Sequence, residues 1–176
     1  LSDIRIPSGD VQLRRYGKWA VLGIIILTVQ IALGGWTSSH YAALVCTELP
    51  ICQAGWMDQA QIGNAFDLIP PKRDTYELGF LTHPERLAVH ISHRFGAIVT
   101  SIYLMWLSLA VLKNAQSQTM KSASILVMLL LVVQVSLGVS NIVFVLPLAV
   151  AVAHNVVAVT LMVALIRLTY LLKRKV

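Results

Sequence analysis

The sequence predicts an all-α integral membrane protein, a four-transmembrane-helix bundle built from two parallel helix-pair repeats. Of its 176 residues, 57% are hydrophobic and only 12% are charged, whereas a soluble domain carries about 25% charged residues. Four apolar segments reach the roughly 20 residues that a membrane-spanning helix needs. A short motif also occurs in the first half of the chain and again in the second half, which predicts the repeat.

The four apolar segments define the predicted helices. They cover about residues 19–36, 87–112, 123–143 and 146–172. Pro147 suits the first turn of the fourth helix, because the backbone N–H that proline lacks has no partner there in any case. We expect residues 1–16 to form a cytoplasmic N-terminal segment. Residues 17–176 should form a single four-helix membrane domain with an outer loop at about 37–86.

Lysine and arginine residues predict the orientation of the bundle. They precede the first span, separate the second from the third, and follow the fourth, so with four spans they all fall on one side. That side should be the cytoplasm, and we expect a bacterial inner membrane with both termini cytoplasmic. The net charge of +6 lies beside the spans, which argues against a nucleic-acid partner. The residues concerned are Arg14, Arg15, Lys18, Lys113, Lys121, Arg167, Lys173, Arg174 and Lys175.

The first residue is Leu1 rather than methionine, and no signal-peptide pattern follows it. We therefore expect a fragment, a processed product or one half of a longer protein. The internal repeat supports a construction from similar pieces. The sequence QIALG at residues 30–34 matches QVSLG at residues 134–138. Both predicted helix pairs run in the same direction, so the repeat axis should lie along the membrane normal, with a site between the repeats.

His93 and His154 are the main candidate site residues. Each lies a short way into a span that starts at the outer face, roughly 10 Å below the surface at about 1.5 Å of rise per residue. Two imidazoles at matching depth on parallel helices suit the two axial ligands of one haem iron. Small residues near them, such as Gly96 and Ala158, leave room for a flat macrocycle. The alternative is that both histidines only form hydrogen bonds between helices.

Six further polar residues lie near this pair or in the predicted outer loop. His90 shares a helix face with His93 and is a weak candidate for a catalytic residue, a second metal ligand, a proton carrier or a propionate contact, or has no special role. Arg94 lies close enough to the outer surface to bind a haem propionate. We expect His40 and His83 to be solvated. The repeated glutamines Gln30 and Gln134 are assigned to hydrogen bonds between helices, and the alternative, indicated by their repetition, is a role near the cofactor.

Cys46 and Cys52 are the only cysteines of the chain, and both lie in the predicted outer loop. Thiols outside the cytoplasm tend to oxidise, so a loop disulfide is expected. A structural clip over the haem pocket is the favoured interpretation. A redox-active pair is the alternative.

Several of these segments together resemble the haem A synthase family. The resemblance lies in LGGWTSSHYAALVC at residues 33–46, PIC at 50–52, VHISHR at 89–94 and AHN at 153–155, and it extends over about residues 14–172. It implies that the chain corresponds to the C-terminal four-helix half of an eight-span protein. It further implies that His93 and His154 are the axial ligands of a b-type haem, and that the two cysteines can form a disulfide.

The resemblance also implies an activity. Members of the family oxidise the C8 methyl of haem O to the formyl group of haem A during cytochrome c oxidase biogenesis. The implied partners are haem O and haem A, a missing N-terminal half or a second copy, haem O synthase, and a quinol or other electron donor. The position of the family's catalytic glutamate is His90 here, which implies that this half holds the cofactor. The alternatives are a stand-alone bis-histidine b-type electron-transfer cytochrome and a structural assembly subunit without a cofactor.

Overall fold

The computed structural model describes residues 8–69 and 79–174, and within these ranges all regular structure is helical. A 3-10 helix is followed by α1, a short α2, and the three long helices α3, α4 and α5. Their bounds are Ser8–Tyr16, Gly17–Ser39 (α1), Trp56–Gln59 (α2), His83–Asn114 (α3), Gln118–Val143 (α4) and Leu148–Lys173 (α5). Residues 1–7 of the predicted N-terminal segment, 70–78 of the predicted loop, and Lys175 lie outside the described residues.

Four helices are long and apolar enough to cross a membrane: α1 together with the turn before it, α3, α4 and α5. This confirms the predicted four-helix membrane bundle. The helices pack as a ring in which α1 contacts α3, α3 contacts α4, α4 contacts α5 and α5 contacts α1. Since consecutive long helices alternate in direction, α3 and α5 lie diagonally opposite and run the same way. The two-repeat construction stays a prediction.

Local hydrogen bonds explain why two helices begin where they do. α3 begins about one turn before the predicted position, because Thr82 and Glu85 form a capping box ahead of the apolar run. The Thr82 amide and hydroxyl both donate to Glu85 Oε2, at 2.7 and 2.8 Å. At the start of α4, the Ser117 hydroxyl accepts the Met120 amide at 3.3 Å.

Residues 8–16, which belong to the predicted cytoplasmic N-terminal segment, pack against α1, α3 and α5. Leu13 is fully buried and Asp10 is 1% exposed. The Asp10 carboxylate accepts the backbone amides of Gln116 at 2.7 Å and Ser117 at 3.1 Å, and also the Ser117 hydroxyl. The segment thus closes what we call the terminal end of the bundle. The opposite end, which carries residues 40–69 and the α4–α5 turn, is the loop end.

The main apolar core fills the part of the bundle nearest the terminal end, and two smaller buried clusters, around Val89 and around Leu87, lie under the loop at the other end. The fully or nearly fully buried side chains of the main core come from all four long helices and from the 3-10 helix. They include Leu13, Ala20, Leu27, Leu104, Leu107, Val111, Met120, Ala123, Val127, Leu131, Leu161, Leu165, Leu168 and Leu172.

A second level of the bundle, nearer the loop end, contains no buried residue. It comprises residues 28–36, 92–99, 132–143 and 148–160, and we call it the histidine layer, because both candidate histidines lie in it. Apolar residues dominate these helices, yet each of their side chains is at least partly exposed. The histidine layer is therefore less enclosed by protein than the core below it.

We expect Asp10→Ala to destabilise the bundle by about 1–3 kcal/mol, because it removes three hydrogen bonds between a buried carboxylate and the α3–α4 turn. The measurement is the midpoint of thermal unfolding in detergent. Asp58→Ala is the matched control, since Asp58 is exposed in the short helix α2. Equal midpoints for the two variants would contradict the role given to Asp10.

Candidate functional site

His93 contacts a glutamine and a glycine of α1, and a glycine of α3 makes room for that glutamine. The Gln30 side-chain nitrogen, Nε2, lies 3.0 Å from His93 Nδ1 and 3.0 Å from the His93 carbonyl oxygen. Gly34 lies one turn further along α1, where a Cβ would stand 3.1 Å from His93 Cε1. At Gly96 a Cβ would overlap Gln30 Oε1. The space beside Gly96, which we had assigned to a macrocycle, is thus occupied by the glutamine side chain.

His154 has the same kind of support from α4. Gln134 Nε2 lies 3.2 Å from His154 Nε2, and a Cβ at Gly138 would stand 3.3 Å from His154 Cε1. The repeated QxxxG motif therefore has the same role in both helix pairs. Its glutamine contacts a histidine, and its glycine allows the imidazole to lie against the helix. Sequence reasoning had assigned these glutamines to helix contacts in general. The repetition of the motif was the signal that marked them.

The two histidines belong to the diagonally opposite helices α3 and α5. Four polar atoms of the histidine layer are buried without a hydrogen-bond partner within the described residues. They are Gln30 Oε1, Gln134 Oε1, Asn141 Oδ1 and His154 Nδ1. An unpaired buried polar group costs about 1–3 kcal/mol, so this concentration indicates a site for a polar or metal-bearing ligand.

The donor set limits which metal group could bind. Within residues 8–69 and 79–174, no cluster of three or more histidine, cysteine, aspartate or glutamate side chains could hold a metal ion. The protein offers two imidazoles, so a metal between them would have to bring its remaining ligands with it. A porphyrin iron does so, and it takes two histidines as axial ligands. The unpaired His154 Nδ1 and the glycine beside each imidazole fit such a group.

His90 is buried, at 4% exposure, and both its ring nitrogens are engaged. Its Nδ1 lies 2.7 Å from the Ala42 carbonyl oxygen, so this nitrogen carries the proton and donates it. Its Nε2 accepts the Arg94 Nε–H at 2.8 Å. Neither nitrogen is left for a metal or a substrate in this arrangement. The geometry favours a structural role for His90 over the alternative of a second metal ligand.

Arg94 joins α3 to the loop that the two cysteines close. Cys46 and Cys52 form a disulfide with a Cα–Cα distance of 5.4 Å, which confirms the predicted pairing. The Arg94 guanidinium donates to the carbonyl oxygens of Cys46 at 2.6 Å, Glu48 at 2.7 Å and also Ile51. These acceptors all belong to the loop that the disulfide closes between Cys46 and Cys52. A contact between Arg94 and a haem propionate stays a prediction, and it would compete with these carbonyls.

The rest of the described loop packs onto α1 and the start of α3. Trp36 Nε1 donates to the Ala65 carbonyl oxygen at 2.9 Å. His40 is 7% exposed, and its ring lies 4.4 Å from that of Trp36 and 5.0 Å from that of Phe80. The prediction that His40 is solvated was wrong, because the end of α1 turns this ring inwards between two aromatic side chains. His83 is exposed at the start of α3, as predicted.

We expect Arg94→Lys to speed reduction of the Cys46–Cys52 disulfide by dithiothreitol about tenfold or more. Lysine keeps the charge but cannot reach several carbonyls at once. One lost charge-assisted hydrogen bond costs about 1.5–3 kcal/mol. A loss of this size raises the fraction of molecules with an open loop about tenfold or more. Thiol alkylation followed by mass spectrometry measures the rate. Arg15→Lys, at the exposed terminal end, is the control, and an unchanged rate in Arg94→Lys would show that the guanidinium does not hold the loop.

Comparisons with known proteins agree on one family. The chain matches the COX15-CtaA family, cytochrome oxidase assembly protein, over residues 5–166. It is 42% identical over 171 residues to the heme A synthase of Shewanella oneidensis, which covers 97% of this chain and 51% of that protein. It is 28% identical over 145 residues to the heme A synthase of Chelativorans sp., covering 82% and 36%.

The chain thus spans about half the length, or less, of the curated relatives it matches. No solved structure gives a significant match. The family match and the two relatives confirm the resemblance predicted from the sequence motifs. This chain, with its paired histidines and its disulfide loop, belongs to the COX15-CtaA family of cytochrome oxidase assembly proteins.

Proposed function

We propose that this chain is the haem b-binding half of a haem A synthase-like membrane oxidoreductase, with His93 and His154 as the axial ligands. The observation that carries the proposal is the pair of imidazoles on diagonally opposite helices, each backed by a glutamine and a glycine. They lie in the one level of the described bundle that contains no buried residue. Metal-binding histidines typically have the other ring nitrogen hydrogen-bonded, and the glutamines are placed to provide that bond.

The reaction we propose is oxidation of the C8 methyl of haem O to the formyl group of haem A during cytochrome c oxidase biogenesis. Conversion of a methyl to a formyl group removes hydrogen and electrons from the substrate and adds an oxygen atom, so it requires an electron acceptor and a source of oxygen, either water or dioxygen. A bound haem b supplies one-electron redox chemistry at this position. The contribution of the chain itself is to hold two neutral imidazoles at fixed positions, and to keep the surrounding helices apolar so that water is excluded.

The contacts of His90 support the proposal that the oxidation takes place outside this half. A group that takes a proton from a substrate must present a free acceptor atom to it. Both nitrogens of His90 are occupied by Ala42 and Arg94. Because the chain spans about half of its relatives, we propose that a further four-helix half, or a second copy, holds haem O. A stand-alone electron-transfer cytochrome would have the same site but no haem O turnover when that half is supplied.

The proposal includes an orientation and partners. The basic side chains near the terminal end, such as Arg14, Lys113 and Lys121, favour a cytoplasmic location of that end by the positive-inside rule. In a bacterial inner membrane the histidine layer then lies towards the outer face. Haem O synthase would supply the substrate, and a quinol or another electron donor would exchange electrons with the bound haem.

An absorption spectrum of the detergent-purified chain with added haem tests the proposal. We expect a Soret band with the narrow visible bands of a low-spin, bis-histidine haem on reduction. His93→Ala and His154→Ala should each abolish the low-spin spectrum, because each removes one axial ligand. His83→Ala is the matched control, since this histidine lies exposed at the start of α3.

Two outcomes would overturn the assignment. The first is the absence of a Soret band from the wild-type chain under conditions in which circular dichroism shows it to be helical. The second is a low-spin spectrum that persists in both alanine variants, which would place the ligands elsewhere.

A further inference from the structure

Gln30 and Gln134 are polar side chains in an apolar region, where burial of an unpaired polar group costs free energy. Each amide uses its nitrogen to contact a histidine ring, at 3.0 Å for His93 and 3.2 Å for His154. The oxygen of each amide is buried and has no hydrogen-bond partner among the described residues. A glutamine oxygen that is both shielded from water and unpaired in an apolar layer is costly, and here the same cost occurs twice, at matching positions.

The two imidazoles also have one unused nitrogen each. His93 Nδ1 faces Gln30, and no hydrogen bond to its Nε2 is seen in the described part of the chain. His154 Nε2 faces Gln134, and its Nδ1 is buried without a partner. When one nitrogen of an imidazole binds a metal, the proton resides on the other nitrogen. In both cases that proton would lie on the nitrogen that faces the glutamine.

We propose that Gln30 and Gln134 are positioning residues that fix the two imidazoles for the metal. Rotation of each amide by half a turn exchanges its nitrogen for its oxygen, and the oxygen then accepts the N–H of the ligating imidazole. At Gln30 the rotation gives up the bond from Nε2 to the His93 carbonyl oxygen, so the amide must also move off that carbonyl. The rotation gives each unpaired oxygen a partner and fixes the tautomer of the histidine. The inference rests on the proposed function, since it needs a metal group between the histidines.

Gly96 gives an independent reason to assign a function to the Gln30 amide. A Cβ at this position would overlap Gln30 Oε1 and would lie 3.4 Å from its Cδ. The amide therefore lies in a space that only glycine leaves open on α3. A glutamine that served only to tie α1 to α3 could bond any free group on the facing helix. Such a bond is worth about 0.6–2 kcal/mol in a membrane. It would not explain why both glutamines contact a histidine ring.

Leucine and glutamate variants at both positions, studied with haem as the probe, test the inference. Leucine removes the acceptor and suits the apolar layer, and we expect haem affinity to fall about 10- to 100-fold. The reduction potential of the bound haem should rise, because an imidazole without an N–H acceptor donates less charge to the iron. Gln30→Glu and Gln134→Glu keep an acceptor oxygen, so their potential should stay at or below that of the wild type.

Thr28→Val and Ser136→Ala are the matched controls. Each hydroxyl is exposed on the same helix as one glutamine, and each bonds only a carbonyl of its own helix, that of Ile24 or Val132. Affinity and potential should be unchanged in both. If a leucine variant does not fold, as judged by circular dichroism and gel filtration, methionine replaces leucine, since it also lacks the amide and matches the length of glutamine.

Three outcomes would overturn the inference. Wild-type affinity and potential in the leucine variants would show that the glutamines do not act on the ligands. A shift of the potential in the same direction with leucine and with glutamate would indicate packing alone. Failure of the wild-type chain to bind haem would remove the proposed function, and this inference with it, whereas the first two outcomes leave the proposed function standing.

Discussion

An imidazole within the apolar part of a membrane needs a hydrogen-bond partner or a metal, and the upper part of this bundle is arranged around two such imidazoles. His93 and His154 each receive one side-chain contact, from Gln30 and Gln134. The neighbouring glycines allow each ring to lie against the facing helix. The site thus depends on two helix pairs, each of which brings a histidine, a glutamine and a glycine together. The apolar core below holds the four helices against one another.

A second set of contacts connects this layer to the loop above it. Arg94, the residue next to His93, holds the backbone of the disulfide loop, and His90 lies between Arg94 and Ala42. One turn of α3 therefore carries both a candidate metal ligand and the anchor of the loop. Displacement of the loop must change the surroundings of α3 at the same level, because the guanidinium contacts both.

Hydropathy and spacing predicted the four spans, the paired histidines and the disulfide, since each follows from local sequence or from redox environment. The contacts across the bundle could not be predicted in the same way. Whether Gln30 faces His93 depends on how α1 is rotated against α3, and apolar residues all round a membrane helix do not reveal that rotation. His40 was misjudged for a related reason: its burial depends on Phe80, a distant residue brought back by the loop. The contacts of Arg94 with the loop could not be predicted either, because its acceptors are backbone carbonyls, which every residue type carries.

The position of the main apolar core, below the histidine layer, has a consequence for how the protein opens. Regions with few buried apolar contacts lie at the low end of the range of local unfolding free energies. The terminal end and the histidine layer should therefore differ in amide hydrogen exchange, even though the same four helices run through both. A group bound only in the folded histidine layer stabilises it by mass action. Exchange in that layer would then report occupancy of the site, while exchange near Leu107 and Leu165 reports the stability of the bundle itself.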